Sequence, residues 1–190
     1  ASGKMPKALQ QAVVDFYQKL DRPAVAVRSS ATAEDLPDMS FAGQQDTYLN
    51  IVGDESLLRA VVNCWGSLWT ARAIGYRARN GIDHDQVALS VVVQEMVQSE
   101  ASGVLFTANP LNGKRSETAI DATLGLGEAL VSGQVEPDHY IVETKSGKIL
   151  SKVLGAKATV IRGTQGGGTV TTQESAANQQ AIPDAVISEV

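Results

Sequence analysis

Residues 24–52 read AVAVRSSATAEDLPDMSFAGQQDTYLNIV. The stretch opens with alternating small and β-branched residues, crosses a loop rich in Ser, Thr and acids, and returns to apolar sequence through Gly43-Gln44-Gln45-Asp46-Thr47. That pattern predicts strand, loop, glycine turn, strand. Arg28 stands where the first strand hands over to the loop, within reach of whatever the loop encloses. Its planar, permanently charged fork suits phosphate, although a salt bridge to Glu34 or Asp35 accounts for it equally well. Gly43 has two readings as well. It is an ordinary hairpin turn, or it lets backbone N–H groups close over phosphate oxygens, with Thr47, Gln44 and Gln45 adding side-chain donors.

Working outward, the 190 residues are 43% hydrophobic and 19% charged, enough for one sizeable core with room for two lobes. A formal charge of −5 argues against a surface built for nucleic acid or for anionic membranes, so any phosphate site must be local. No apolar run approaches the roughly 18 residues of a membrane span, and no signal-peptide layout opens the chain. The lone cysteine, Cys64, cannot form an internal disulfide. That suits a reducing compartment, and cytoplasmic localisation is the expectation.

On the N-terminal side, Pro6 to Leu20 predicts an amphipathic helix with Pro6 at its first position and Leu9, Val13, Phe16, Tyr17 and Leu20 as its apolar stripe. On the other side, Asp54 is read as capping one long helix, with Leu57, Leu58, Val61, Val62, Trp65, Leu68 and Trp69 facing the core. That helix is expected to run through Arg72, Arg77 and Arg79, as a dipole complement on a solvated face, and to stop at Gly81. Val87 to Val97 (VALSVVVQEMV) is so continuously apolar that it reads as a central strand, with Gln94 and Glu95 near its end. Shorter strands follow over Gly103 to Thr107 and Thr118 to Ala122, then a glycine-rich turn into a short helix, GLGEALVSG. That turn does not match a dinucleotide fingerprint, and no Walker-type lysine motif occurs. His139 to Thr144 and Lys148 to Val153 alternate around Lys145-Ser146-Gly147, a hairpin. Gly166, Gly167 and Gly168 form a loop tip between two further strand-like runs, and Ile182 to Val190 starts a helix. His84 and His139, flanked by acids, read as surface turn histidines rather than metal ligands. Strands and helices without regular βαβ alternation indicate α+β.

VAVRSSATAEDLPDMSFAGQQDTYLNI, followed in order by LWTARAIGYRARNGIDH, VVVQEMV, SGVLFTANP and GLGEALVSGQVEPDHY, resembles the ATP-binding domain of the dikinase family: phosphoenolpyruvate synthase, pyruvate phosphate dikinase and rifampicin phosphotransferase. The resemblance implies an ATP-grasp-like α+β fold, with mostly antiparallel sheets and packed helices, incomplete at both ends. Residues 1–190 would be a portion of that domain, with two lobes holding adenine between them and no clear linker. Arg28 would be catalytic and grip the ATP phosphates. Gly43, Gln44, Gln45 and Thr47 would form the lid, and Gln94, Glu95, Met96 and Val97 the hinge strand whose backbone reads the adenine edge.

The family passes the β-phosphoryl of ATP to a histidine on a separate swivelling domain, with Mg²⁺ neutralising charge, and AMP is left. The implied cofactors are therefore ATP and Mg²⁺, and the implied partners are the phosphohistidine and acceptor-binding domains of a parent chain. Neither His84 nor His139 lies in the threonine-rich signature that carries the phosphorylated histidine. The family's N-terminal lysine and its later acidic pair with a Gln-x-Arg segment are not matched here, so the metal ligands are expected elsewhere and this portion alone is expected to be inactive. Glu128 reads as a phosphate-side residue or as a helix-start acid. Phosphoenolpyruvate synthase is the first expectation and rifampicin phosphotransferase the second. A non-catalytic nucleotide-binding or interaction module is the alternative of another class.

Overall fold

The structure, a computed structural model, describes residues 4–32, 35–36, 39–40 and 46–189. They form a mixed α+β arrangement with antiparallel sheets. The chain divides into two compact units, Ala1–Met96 with Thr164–Gly168, and Val97–Gly163 with Thr169–Val190.

The first unit begins with α1 (Lys7–Lys19), and Pro6 occupies the position before the first helical residue rather than that residue itself. Of the expected stripe only Tyr17 is fully buried, and Phe16 remains 66% exposed. Tyr17 also uses its hydroxyl, donating to the Pro23 carbonyl at 2.7 Å and accepting from the Gly53 N–H at 3.3 Å. It thereby ties the end of α1 to the starts of the next strand and helix.

β1 (Val25–Ala31) lies between β4 (Thr47–Ile51) and β5 (Leu89–Glu95), both antiparallel to it, and β2 (Asp35–Leu36) pairs with β3 (Met39–Ser40) in a separate short ladder. Two expectations change here. Among the described strands β1 is the central one and β5 lies at the edge. Every second residue of β5 faces outward, Val92 being 48% exposed, so its unbroken apolar run does not mark burial on both faces. Arg28, for its part, sits in the middle of β1, which continues to Ala31.

The long helix is two helices, α2 (Asp54–Ser67) and α3 (Ala71–Arg79). The break follows Ser67, whose hydroxyl turns back on the Cys64 carbonyl at 2.7 Å, and Thr70 restarts the helix by accepting the Ala73 N–H on its own hydroxyl at 3.3 Å. A Thr in an N-cap satisfies one of the orphaned donors of a new first turn. The tryptophans part company at this break: Trp65 packs against the core of Val25, Val27, Leu57, Val61 and Cys64, whereas Trp69 is 56% exposed.

Arg77 is also unlike the expectation. Its side chain is fully buried, donates from Nε to Nδ1 of His84 at 2.8 Å, and lies over the Trp69 ring at 5.3 Å. Burial lowers its pKa. Arg72 and Arg79 are exposed, as expected of a solvated face, and Gly81 follows the helix with a positive φ of 66°.

The second unit is a four-stranded antiparallel sheet of β6 (Ala101–Phe106), β7 (Glu117–Leu124), β8 (Asp138–Glu143) and β9 (Ile149–Val153), in that order. Strict alternation on β7 and β8 sends Ile120, Ala122, Tyr140 and Val142 to one face, where Ile187 of α5 (Asp184–Glu189) covers them. The short helix α4 (Glu128–Val131) follows Gly125, and β10 (Thr159–Gly163) pairs with β11 (Thr169–Gln173). His139 is a strand residue, not a turn residue, and its Nδ1 is 2.7 Å from Oδ1 of Asp121 directly across the ladder.

Candidate functional site

In the sheet of the first unit, residues directly opposite one another on paired strands put their side chains on the same face. Arg28 is opposite Thr47 on one side and Val92 on the other, and Gln94 is opposite Ala26. Val25, Val27, Val91 and Val93 fill the other face, against α2. The alternation therefore collects Arg28, Thr47, Val92 and Gln94 on the face turned away from the helices, and all four are exposed. Glu95 is opposite Val25 and so belongs to the helix-side face, separated from Gln94 by the pleat. Met96 continues the pairing by one bond, its N–H donating to the Ala24 carbonyl at 2.8 Å. Val97, 77% exposed, is the first residue of the second unit. Gly43, Gln44 and Gln45 lie outside the described residues, as does Glu34, one suggested salt-bridge partner of Arg28.

Among the described residues Arg28 makes no ion pair. Its charge is offered to the face, with the hydroxyl of Thr47 beside it and the apolar Val92 on the other side. A fork-shaped cation, a hydroxyl, an amide and a flat apolar patch are the parts needed to hold an anionic group with an aromatic or aliphatic body.

The approach to Thr47 is held firmly. The carbonyl of Asp46 accepts from the Ser29 hydroxyl at 3.2 Å and from the Cys64 thiol at 3.7 Å, while its carboxylate meets Arg72 at 3.5 Å and the Tyr48 hydroxyl at 3.5 Å. Burial, and after it the Asp46 charge, pushes the Tyr48 phenol up from its ordinary pKa. Thus Tyr48 packs against the core and Asp46 is engaged with Arg72 and Tyr48, leaving the Thr47 hydroxyl to the exposed face.

Two contributors were not singled out from sequence. Val92 was hidden inside a run of valines, although its place in the alternation with Gln94 was a usable signal. Asn50, buried at 1% with a φ of 54°, was signalled by a polar residue inside the apolar run TYLNIV. Among the described residues no three His, Cys, Asp or Glu side chains gather to hold a metal ion.

Residues 1–190 match the family described as the pyruvate phosphate dikinase AMP/ATP-binding domain. A probable phosphoenolpyruvate synthase of Pyrococcus abyssi is 54% identical over 175 residues, which are 88% of this chain and 21% of that protein. A rifampicin phosphotransferase of a Streptomyces species is 56% identical over 149 residues, 78% of this chain and 17% of that protein. A probable phosphoenolpyruvate synthase of Methanocaldococcus jannaschii is 46% identical over 195 residues, 98% of this chain and 16% of that protein. The chain thus spans about a fifth of the length of the relatives it matches. With the whole of its length matched, this chain belongs to the pyruvate phosphate dikinase AMP/ATP-binding domain family.

Proposed function

We propose that the chain is the ATP-binding portion of a phosphoenolpyruvate synthase, ATP-grasp-like in fold, whose parent protein makes phosphoenolpyruvate from pyruvate and ATP with release of AMP and phosphate. The observation that carries the reading is the exposed sheet face on which Arg28, in no ion pair among the described residues, stands opposite Thr47, in a chain of an AMP/ATP-binding family. Arg28 binds phosphate oxygens with its fork, and Thr47 donates its hydroxyl to the same group. Val92 offers an apolar surface, and Gln94 to Val97 present backbone groups to the adenine edge. Gly43, Gln44 and Gln45 close over the phosphates as a lid.

Phosphoryl transfer needs positioning and charge neutralisation more than a protein nucleophile, which fits a site made of donors. Mg²⁺ supplies further neutralisation when bound. The β-phosphoryl passes to a histidine on a separate domain of the parent chain, and the acceptor binds on a further one.

The name of the Streptomyces relative supports a second reading, in which the final acceptor is rifampicin. Incubating the parent protein with ATP and either pyruvate or rifampicin, and following AMP, phosphate and the phosphorylated acceptor, decides between the two. Arg28→Ala in that protein is expected to cost about 2 to 4 kcal/mol in ATP-dependent turnover. Kinetics within about twofold of wild type, under 0.5 kcal/mol, would sink the assignment of Arg28. Nucleotide binding with no AMP formed would favour a non-catalytic module.

A further inference from the structure

Asn50 is the residue on which the geometry of that face depends. Along β1 and β4 the partners are Val25↔Ile51, then Val27↔Tyr48 and Arg28↔Thr47, so that two steps on β1 are matched by three on β4. One extra residue is therefore accommodated in β4, and Asn50 there has the left-handed backbone, φ 54°, found in one of the common bulge types. Counting on from Val25↔Ile51 without the extra residue would set Arg28 opposite Tyr48. The exposed face would then hold a phenol beside the guanidinium, and Thr47 would turn inward, because a one-residue slip exchanges the two faces of a strand.

The bulge is clasped from one side. The Asn50 amide donates to the carbonyls of Thr164 at 2.8 Å and Gly168 at 2.7 Å, and the Gly168 N–H returns a bond to the Asn50 carbonyl at 2.6 Å. The turn that receives these bonds, Thr164–Gly168, belongs to the first unit. It is shaped for the purpose: Gly167 has a φ of 93°, and a Cβ there would come within 3.2 Å of the Val52 Cβ and 3.3 Å of the Asn50 carbonyl oxygen. Asparagine combines tolerance of a positive φ with two side-chain N–H donors. Alanine would lack both properties and glycine only the second.

We propose that Asn50 is a positioning residue for the nucleotide site, holding the β4 bulge against the 164–168 turn so that Thr47, and not Tyr48, stands beside Arg28. The inference rests on the nucleotide reading for its functional consequence, but its structural content is tested without nucleotide.

In the parent protein, the pair Arg28→Cys with Thr47→Cys is expected to close a disulfide under mild oxidation, and the pair Arg28→Cys with Tyr48→Cys is not. Adding Asn50→Ala should transfer the cross-link to the second pair or abolish the preference. Cross-linking of the first pair unchanged by Asn50→Ala would overturn the proposal. In the protein without added cysteines, Asn50→Ala should raise KM for ATP about tenfold with a smaller change in kcat, and Asn50→Gly should recover part of that loss, since small misplacements of a binding group are expensive. A fall in kcat with KM unchanged would count against it. Should Asn50→Ala fail to fold, Asn50→Gly carries both measurements, with a weakened preference for the first pair expected. Absence of Mg·ATP binding by the wild-type parent would overturn the nucleotide reading, while the cross-link still decides what Asn50 does to the register.

Discussion

Asp138 and Lys157 form an ion pair with both side chains completely buried in the second unit. Lys157 also donates to the Gly155 carbonyl at 2.7 Å. Asp138 accepts from the Gly155 N–H at 3.0 Å, the Tyr140 hydroxyl at 3.0 Å and the Ala181 N–H at 2.7 Å. One carboxylate thus joins β8, the segment after β9 and the approach to α5. Asp138→Asn leaves a buried ammonium without its counter-charge and is expected to cost about 3 to 5 kcal/mol. Urea denaturation of the parent protein, followed in this domain, measures it. Adding Lys157→Met to Asp138→Asn removes the stranded ammonium while the amide oxygen still accepts, so the double change should cost less than the single one, and a larger cost would contradict the account.

Gly125 turns with a φ of 72° directly beneath β10, and a Cβ there would lie 2.3 Å from the Ile161 carbonyl oxygen, which accepts the Leu126 N–H. Gly133 has nearly the same φ, 70°, with nothing within 4 Å. Gly133→Ala is therefore expected to cost about 1 to 2 kcal/mol, the backbone preference alone. Gly125→Ala must also displace a carbonyl and should cost clearly more. Equal losses in melting temperature would show that the close approach to Ile161 has no energetic consequence.

Glu117 is held down to about 2 by hydrogen bonds, first from Lys114 and then from Asn109 and Asn112, and the Lys114 charge adds to them. Its cross-strand neighbour is Glu143. A carboxylate with a depressed folded-state pKa contributes stability that is present above its ordinary value and lost as pH falls through the folded one. The contacts of the loop from Asn109 to Glu117 should therefore weaken between about pH 4.5 and pH 2. Thermal unfolding against pH should show that acid limb in the wild type and a flatter one in Glu117→Gln.

The Cys64 thiol is pushed up to about 11, chiefly by burial and then by the Asp46 charge. Since the thiolate is the reactive form, native-state labelling with a disulfide reagent at neutral pH should be far slower than that of an exposed cysteine, and denaturant should release it. Rapid stoichiometric labelling of the folded protein would mean that the core around Val25, Val27 and Leu57 opens readily.

Mg·ATP at saturating concentration should raise the melting temperature of the wild-type parent and leave that of Arg28→Ala nearly unmoved, because ligand stabilisation follows affinity. Equal shifts in both would place the phosphate contact elsewhere.

Local sequence carried the elements whose causes are local. The β1 pattern, the Lys145-Ser146-Gly147 hairpin, the glycine loop of 166–168, the short helix after GLGE and the stop at Gly81 follow from alternation, turn chemistry and the freedom of glycine at positive φ. The motif string from Val25 to Tyr140 also identified the family before any coordinate. Non-local placement was another matter. Composition could not rank β1 above β5, because which strand has two neighbours depends on pairing across tens of residues, and a valine run looks alike at the centre and at the edge. Helical periodicity ran smoothly past Ser67 and Thr70, yet their side chains bonded backbone groups and divided one helix into two, carrying Trp69 to the surface. Arg77 read as a surface cation since charge alone predicts solvent, and only packing against Trp69 and His84 encloses it.

By itself the sequence determined that a strand carries the chain to Arg28 and that Gln94 lies near the end of another, because alternation acts between near neighbours, and it proposed Thr47 as a donor beside them. The tertiary structure alone decided that Arg28, Thr47 and Gln94 share one face and that Glu95 does not, since a face is set by register, and the register shift in β4 falls beside a left-handed residue, Asn50, bonded to a turn more than a hundred positions away.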